Sequence, residues 1–441
     1  MDFGAGMAGQ PQSAIFTFPV ELAQDILSFC HPWDVAAFSK TCRGAYALVY
    51  QSTDQYLWRQ LFHGYSFDPP QYSSEPSRRK EKKDWKKELI CRMKAELILF
   101  RGPRTEVETK EMLQTLITVI EDSSYILSRT GFSRNTKWLK RMVRQSLLLN
   151  NLYSISTEDD AEAQLHAQIK SYLALTIHPK QDESTLALFL ERRDTSRAYV
   201  YNLEHYKATN QWGPFHTDGS VNWTHVEYLQ DVVSCNIREL PGSWAQTRPP
   251  SCLDPPREGR ASGLMSEEDW AGVEGTWRRY VCFMDYRDLF AFNFTELAGG
   301  PKNPKFFKDP RFREATRLIE LKLHIARSSE LRYYRPPTES HHPAYPTLCI
   351  GGSSKGVNGN EAIVEGCVIM GQDGVARWEI ISIYDDHPQW SSHGVQIGGV
   401  GSAMGVIGVW TTTNHDPDDP AGPFWLWKVE DNSPTHLMEF T

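Results

Sequence analysis

Several groupings in this sequence hold residue types able to do chemistry. Gly351-Gly-Ser-Ser-Lys-Gly-Val-Asn-Gly359 has the glycine content of a loop that cradles phosphate. It lacks the Gly-Lys-Ser/Thr ending, and Lys355 precedes its closing glycine, so it reads as a flexible loop between strands. His341-His342, and His387 with His393, are the histidine groupings of note. No cysteine pair or His-Glu-x-x-His frame accompanies them, so no metal centre is expected. Asp385-Asp386 and Asp416, Asp418 and Asp419 lack the ligand spacing of a calcium loop and read as acidic surface turns. No nucleophile–base pair or convergent carboxylates emerge. The expectation is a chain with no catalytic residues, no metal and no cofactor.

A second kind of chemistry, recognition, is written into the segment from Trp390 to Trp410. Its glycines at 394, 398, 399, 401, 405 and 408 permit bends and close backbone approach. Trp390, Trp410, Trp425 and Trp427 either line the mouth of a β-barrel, with Arg377 or His393 supplying polar contacts, or pack its core. Alternation along Trp425-Leu426-Trp427 puts both tryptophans on one face, inside or out. These six residues are the candidate substrate-binding set.

The elements that must position them change character along the chain. From Ala14 to Phe62 the period is helical. Leu22, Ile26 and Phe29 form one stripe, with Pro19 just inside the helix start. Val35, Phe38, Cys42, Tyr46 and Val49 form a second, with Asp34 as its N-cap. Thr53 or Asp54 caps a third, short helix carrying Leu57, Trp58, Leu61 and Phe62. Arg78–Lys94 holds nine Lys or Arg against three acids and reads as the solvated face of a connecting helix. Met112, Leu116, Val119 and Ile120, then Trp138, Met142, Val143, Leu147 and Leu148, extend a helical connector towards His178. From about Leu188 the pattern shifts to short β-branched and aromatic runs: Arg197–Leu203, Arg279–Phe294 and Val364–Tyr384. Asp373-Gly374 marks a hairpin joining Gly366–Met370 to Val375–Tyr384. Gly394–Ile397, Gly405–Trp410 and Phe424–Val429 are further strands. Arg313–Arg327 fits neither period. The fold class expected is α+β: three N-terminal helices and a helical connector, then a mainly antiparallel β-barrel or sandwich.

Composition narrows the partners. The net charge is −8 over 441 residues, which argues against nucleic acid, because phosphate binding needs clustered Lys and Arg. No apolar run approaches the ~20 residues of a membrane-spanning helix. Residues 1–12 lack a basic and apolar leader pattern, and the eight cysteines form no Cys-x-x-Cys pair. Both features lead us to expect cytoplasm or nucleus, with no membrane association.

One stretch carries far more information than these. Phe18-Pro-Val-Glu-Leu-Ala-Gln-Asp-Ile-Leu-Ser-Phe-Cys-His-Pro-Trp-Asp-Val-Ala-Ala-Phe-Ser-Lys-Thr-Cys-Arg43 is followed by Tyr56-Leu-Trp-Arg-Gln-Leu-Phe62. This resembles the F-box: a Leu-Pro-x-Glu-Leu start, an Ile-Leu helix, a Pro-x-Asp turn, a Ser-x-x-Cys-Arg helix and a closing Trp-Arg. Phe18 stands where the family usually has Leu, and Cys30 and Val35 replace aliphatic neighbours. The resemblance implies docking on the Skp adaptor through Pro19, Leu22, Ile26, Leu27, Asp34, Val35 and Trp58, with Leu22, Ile26 and Leu27 as anchors. It implies a link, through that adaptor, to a cullin and a RING protein, with an unidentified protein substrate held by the remaining chain. The second half, including Arg279–Phe294, Gln389–Gly399, Gly405–Trp410 and Gly422–Lys428, is similar to the C-terminal region of F-box proteins of mushroom-forming fungi. More loosely, it resembles the β-barrel of F-box proteins that read substrate tails. The domains expected are 1–13 as a disordered N-terminus, 14–63 as F-box, 64–187 as linker and helical connector, and 188–441 as a β-rich substrate-binding domain. Two alternatives stay open: a Skp-bound role in structure or trafficking without ubiquitin, and a ligand-binding β domain with its own enzymatic activity.

Overall fold

The protein was analysed as a computed structural model. The structure describes residues 14–52, 54–65, 67–68, 84–123, 133–146, 149, 159–176, 183–240, 247–254, 268–337, 342, 345–357, 359–400, 402–431 and 438–440. The expectations for residues 1–13, Thr53, Leu147, Leu148, His341 and Gly401 lie outside these.

The N-terminal unit has four short helices rather than three: α1 (Val20–Ser28), α2 (Pro32–Ser39), α3 (Arg43–Tyr50) and α4 (Tyr56–Gly64). The stripe expected from Val35 to Val49 is split because Cys42 takes an extended conformation and accepts a hydrogen bond from the Ala45 N–H (3.4 Å), starting a new helix. Pro32 separates α1 from α2 and is the first residue of α2. The N-cap is His31, whose Nδ1 accepts from the Trp33 N–H at 3.2 Å; Asp34 sits in the first turn, where its charge suits the helix dipole.

The connector comprises α5 (Trp85–Arg101), α6 (Glu106–Ser123), α7 (Arg134–Gln145), α8 (Asp160–Leu173), α9 (Glu183–Val200) and α10 (Trp223–Glu239). Side-chain caps from Asp84, Ser133, Asp159 and Asn222 start α5, α7, α8 and α10. Buried polar groups lock the four-helix unit to the connector. The Asp68 carboxylate accepts from Ser133 Oγ (2.5 Å) and from the backbone N–H groups of Arg134 (2.8 Å) and Asn135 (3.0 Å), at the N-terminus of α7. Glu96 on α5 accepts from Trp138 Nε1 (2.8 Å), Arg141 (2.9 Å) and the Tyr65 hydroxyl (3.0 Å). Arg92, almost fully buried, pairs with Asp122 at 3.0 Å.

The C-terminal part is a closed eight-stranded antiparallel barrel, which decides between barrel and sandwich. Its strands are β1 (Gly275–Met284), β2 (Glu314–Ala326), β3 (Leu348–Lys355), β4 (Glu361–Met370), β5 (Ala376–Tyr384), β6 (His387–Gln396), β7 (Val406–Thr412) and β8 (Gly422–Val429). Sequential neighbours pair from β2 to β8, and β1 closes the ring by pairing with both β8 and β2. A short β9 (Met438–Phe440) adds to β2 at Thr316–Leu318. The hairpin at Asp373-Gly374 forms as expected, with Gly374 at φ +77°. The expected loop at 351–359 does not: Gly351–Lys355 belongs to β3, and the chain reverses only after it, where the Gly356 N–H donates to the Asn360 carbonyl at 3.0 Å.

Two strand expectations fail for identifiable reasons. Arg197–Leu203 is the end of α9 and a short turn, because Arg197 and Tyr201, four residues apart, must reach one carboxylate. Arg197 Nε meets Glu314 Oε2 at 2.8 Å, and the Tyr201 hydroxyl donates to Glu314 Oε1. The β-rich part therefore begins at Gly275 rather than at 188. In Arg279–Phe294 the strand stops at Met284. Asp285 caps α11 (Tyr286–Phe294), accepting from the Arg287 N–H at 2.9 Å, and Leu289, Phe292 and Asn293 turn inward at helical spacing.

The barrel wall is buried on both faces over much of its circumference. Inward go Trp277, Leu321, Leu323, Val364, Val368, Trp378, Ile380, Trp410 and Phe424. Outward, Tyr280, Val395, Ile407, Val409, Trp425 and Trp427 join the core of the helical layer, chiefly under α10. That double burial is why Arg313–Arg327 showed no clean period: Leu318 packs on the helices, and Leu321 and Leu323 fill the lumen.

Strand β7 approaches β6 so closely at Gly408 that a Cβ there would sit 2.2 Å from the His393 carbonyl oxygen. Gly408→Ala is expected to destabilise the protein by about 3 kcal/mol. Gly64→Ala, where the nearest atom is 3.8 Å away, should stay within about 1 kcal/mol of the parent. Denaturant unfolding of both variants checks this, and equal midpoints would contradict the packing described.

Candidate functional site

Helix α1 presents two faces of different character. Ala23, Gln24 and Leu27 are buried, and Gln24 donates from Nε2 to the Leu48 carbonyl at 3.3 Å. The apolar stripe Leu22, Ile26 and Phe29 points the other way, 54%, 48% and 84% exposed. Phe18, Val20 and Trp33 are exposed beside it. An apolar patch of this breadth at a helix surface marks a place where another surface fits.

The docking residues named from sequence therefore divide. Pro19, Leu22, Ile26 and Asp34 are exposed. Leu27, Val35 and Trp58 are buried and hold α1, α2 and α4 together. Phe38 is partly buried and stacks against Phe16 at a centroid distance of 6.3 Å.

The six barrel candidates divide as well. Trp390 and Trp410 meet edge to face at 5.3 Å on the lumen side, and Trp410 Nε1 donates to the Cys282 carbonyl at 3.0 Å. Trp425 and Trp427 share a face, as alternation required, but it is the outer one: Trp425 Nε1 donates to the Met404 carbonyl at 2.7 Å, and Trp427 stacks on Tyr280 at 5.3 Å. Neither lines a mouth. Arg377 and His393 lie at odd positions of β5 and β6 whose even neighbours, Trp378 and Gln396, meet in the lumen, so they too face outward. Arg377 lies over Phe215 at 5.1 Å and pairs with Asp373 at 3.0 Å. His393 is buried among Trp212, Gly213 and His415.

The lumen is closed below, and its upper rim is partly exposed. Trp277 and Trp378 meet at 5.2 Å as its floor, and Trp378 Nε1 donates to Gln396 Oε1 at 3.1 Å. Beneath them Trp270, Val273 and Tyr345 seal the end. At the other end the lumen-facing Val281, Phe283, Ile319, Tyr384, Trp390 and Thr412 are all partly exposed. Between floor and mouth lies Arg279, a residue that the sequence reading passed over as part of a strand. Its signal was a charge in step with Trp277 and Val281 on an inward-facing register. Arg279 Nη2 donates to Ser392 Oγ at 2.7 Å, and the guanidinium lies 4.3 Å from the centre of the Phe424 ring.

Two reactive groups of the barrel are held by their surroundings. Cys367 is pushed up to about 12 by desolvation, and the Tyr334 hydroxyl lies 3.1 Å from its sulfur and 2.8 Å from Glu379 Oε2. The Glu365 carboxylate is occupied by three backbone N–H groups, of Arg332, Tyr333 and Tyr334, at 2.8–2.9 Å. Among the described residues no group of three or more His, Cys, Asp or Glu is placed to hold a metal ion, and no helix is long and apolar enough to cross a membrane. Asp385 and Asp386 form the β5–β6 turn at positive φ.

Burial holds His393 and His225 neutral, each pushed down to about 3 by loss of solvation. A histidine depressed in the fold but titrating near ~6.5 when unfolded contributes stability that is complete above that pH and is lost as pH falls. At pH 5 each should cost about 2 kcal/mol relative to pH 7.5. Thermal unfolding across this range should show the decline, and His393→Gln should make it shallower. An unchanged slope in the variant would place His393 in solvent instead.

No family model, curated protein or solved structure matches this chain.

Proposed function

We propose that the chain is a substrate-recognition adaptor of a cullin-RING ubiquitin ligase, docking on the Skp adaptor through residues 18–62 and presenting a protein substrate from its barrel. The observation that carries this reading is the outward turn of Leu22, Ile26 and Phe29 on α1. These residues lie within the sequence pattern that resembles the F-box, and an isolated globular unit gains nothing from displaying them to water. The polar junction at Asp68, Arg92 and Glu96 supports the same reading. It holds the docking unit at a fixed attitude to the connector, and an adaptor acts by fixing the distance between bound substrate and the conjugating machinery. In this role the chain supplies proximity and no bond-making group.

Burying Leu22 and Ile26 at an interface is worth roughly 1.5–3 kcal/mol each. Leu22→Asp with Ile26→Asp should therefore weaken capture of a purified Skp adaptor by more than about 100-fold. Because both side chains are exposed in the chain alone, the thermal midpoint should hold. Failure of the intact chain to bind any Skp adaptor, or undiminished binding by the double variant, would overturn the reading.

A further inference from the structure

A cation buried inside a protein is costly unless a carboxylate or several hydrogen bonds compensate it. Arg279 is 5% exposed and makes one side-chain hydrogen bond, to Ser392 Oγ; its Nε has no partner. The positions of β1–β8 that share its lumen-facing register include no Asp or Glu: the acids of these strands, such as Glu314, Glu320, Glu365 and Glu379, lie on the outer face. Loss of solvation holds the guanidinium down at about 10, still protonated at neutral pH. The lumen thus holds a full positive charge with spare donors, beneath a mouth whose inward-facing residues are partly exposed.

We propose that the barrel lumen is a carboxylate-binding site, in which Arg279 and Ser392 hold the carboxylate of a ligand whose apolar body packs against Trp390, Trp410 and Phe424. Of the three cations on this register, Lys428 reaches the Gly272 carbonyl below the floor and Arg317 lies exposed at the rim over the Phe283 ring, so Arg279 is the buried one that sets the charge of a ligand at depth. A carboxylate brings one negative charge and two coplanar acceptor oxygens, which match a guanidinium edge. A phosphate monoester brings about −1.5 to −2, more than one arginine offsets in an apolar enclosure. The aromatic wall sets the rest: Trp390 and Trp410 meet at right angles, and Phe424 underlies the guanidinium plane, so an aliphatic or aromatic substituent next to the carboxylate is favoured. Carboxyl-terminal peptide residues and free small acids share this chemistry. The inference deepens the reading of the barrel as the substrate side and is independent of Skp docking.

The test is calorimetric titration of the full chain with 3-phenylpropanoate, its uncharged amide, inorganic phosphate, and a hexapeptide ending in phenylalanine as free acid or as amide. The expected result is that each acid binds at least about tenfold tighter than its amide, because only the acid compensates Arg279. Arg279→Met should erase that preference while leaving Skp capture intact, which separates failure of this site from failure of the docking proposal. Ser392→Ala should reduce the preference several-fold without deleting the charge, and it serves if Arg279→Met does not fold. Tighter binding of the peptide acid than of 3-phenylpropanoate assigns the site to chain termini, and equal binding assigns it to small acids. Acid and amide binding alike, no binding of either acid at millimolar concentration, phosphate binding tighter than both, or a preference that survives Arg279→Met would overturn the proposal.

Discussion

One continuous apolar core runs from Leu27 in the first helix, through Phe62, Phe67 and Trp138, across Val226 and Val233 of α10, to Trp425 and Trp427 on the outer wall of the barrel. Everything else in the structure is arranged around that continuity. A four-helix unit as small as residues 20–64 buries too little surface to stand comfortably alone, so it leans on α5. A β-barrel with an apolar outer wall cannot face water, so α10 covers it. The polar ties are placed where the core would otherwise slide. Glu96 and Asp68 pin the four-helix unit to the connector, and Glu314 pins α9 to β2. Each carboxylate is buried with its acceptors met by named donors, which makes these joints directional where the apolar contacts are not.

Against that background two features stand out because they are left unsatisfied. The α1 stripe leaves apolar surface in water, and the barrel lumen leaves a cation without its counter-charge. They lie at opposite ends of the chain and are unlike in chemistry, one a surface to be covered and the other a charge to be met. Under the proposed reading, the uncovered surface is for the adaptor and the uncompensated charge is for the substrate side. The Cys367 thiol and the Glu365 carboxylate, by contrast, are held by burial or by hydrogen bonds.

Much of this was legible in the sequence where a single face decides the pattern. The helical stripes of the connector, Met112 to Ile120 and Trp138 to Val143, are buried as their spacing required, and the Asp373-Gly374 hairpin closes as its residues require. The outcome was less legible where an element is buried on both faces. Alternation put Trp425 and Trp427 together but carried no information on which side of the wall they share, because both sides are apolar. Arg377 and His393 were drawn to the mouth by their chemistry, yet their parity relative to Trp378 and Gln396 turns them outward. The same parity argument, applied to Arg279 beside Trp277, would have found the lumen arginine. Helix α9 was misread because its inward side is charged: Asp194 and Arg197 are buried through pairing rather than through apolar character. On α1 the spacing of Leu22, Ile26 and Phe29 was read correctly as one face, and the structure adds that the face is the one turned to solvent.

The central claim is that this outward face is completed by an adaptor surface. Calorimetric titration of the full chain with a purified Skp adaptor over a series of temperatures tests it most directly. Burial of an apolar stripe predicts tight one-to-one binding whose enthalpy becomes steadily more favourable as temperature rises, the negative heat-capacity change of apolar burial. Absence of binding, or binding with no heat-capacity change, would contradict the account.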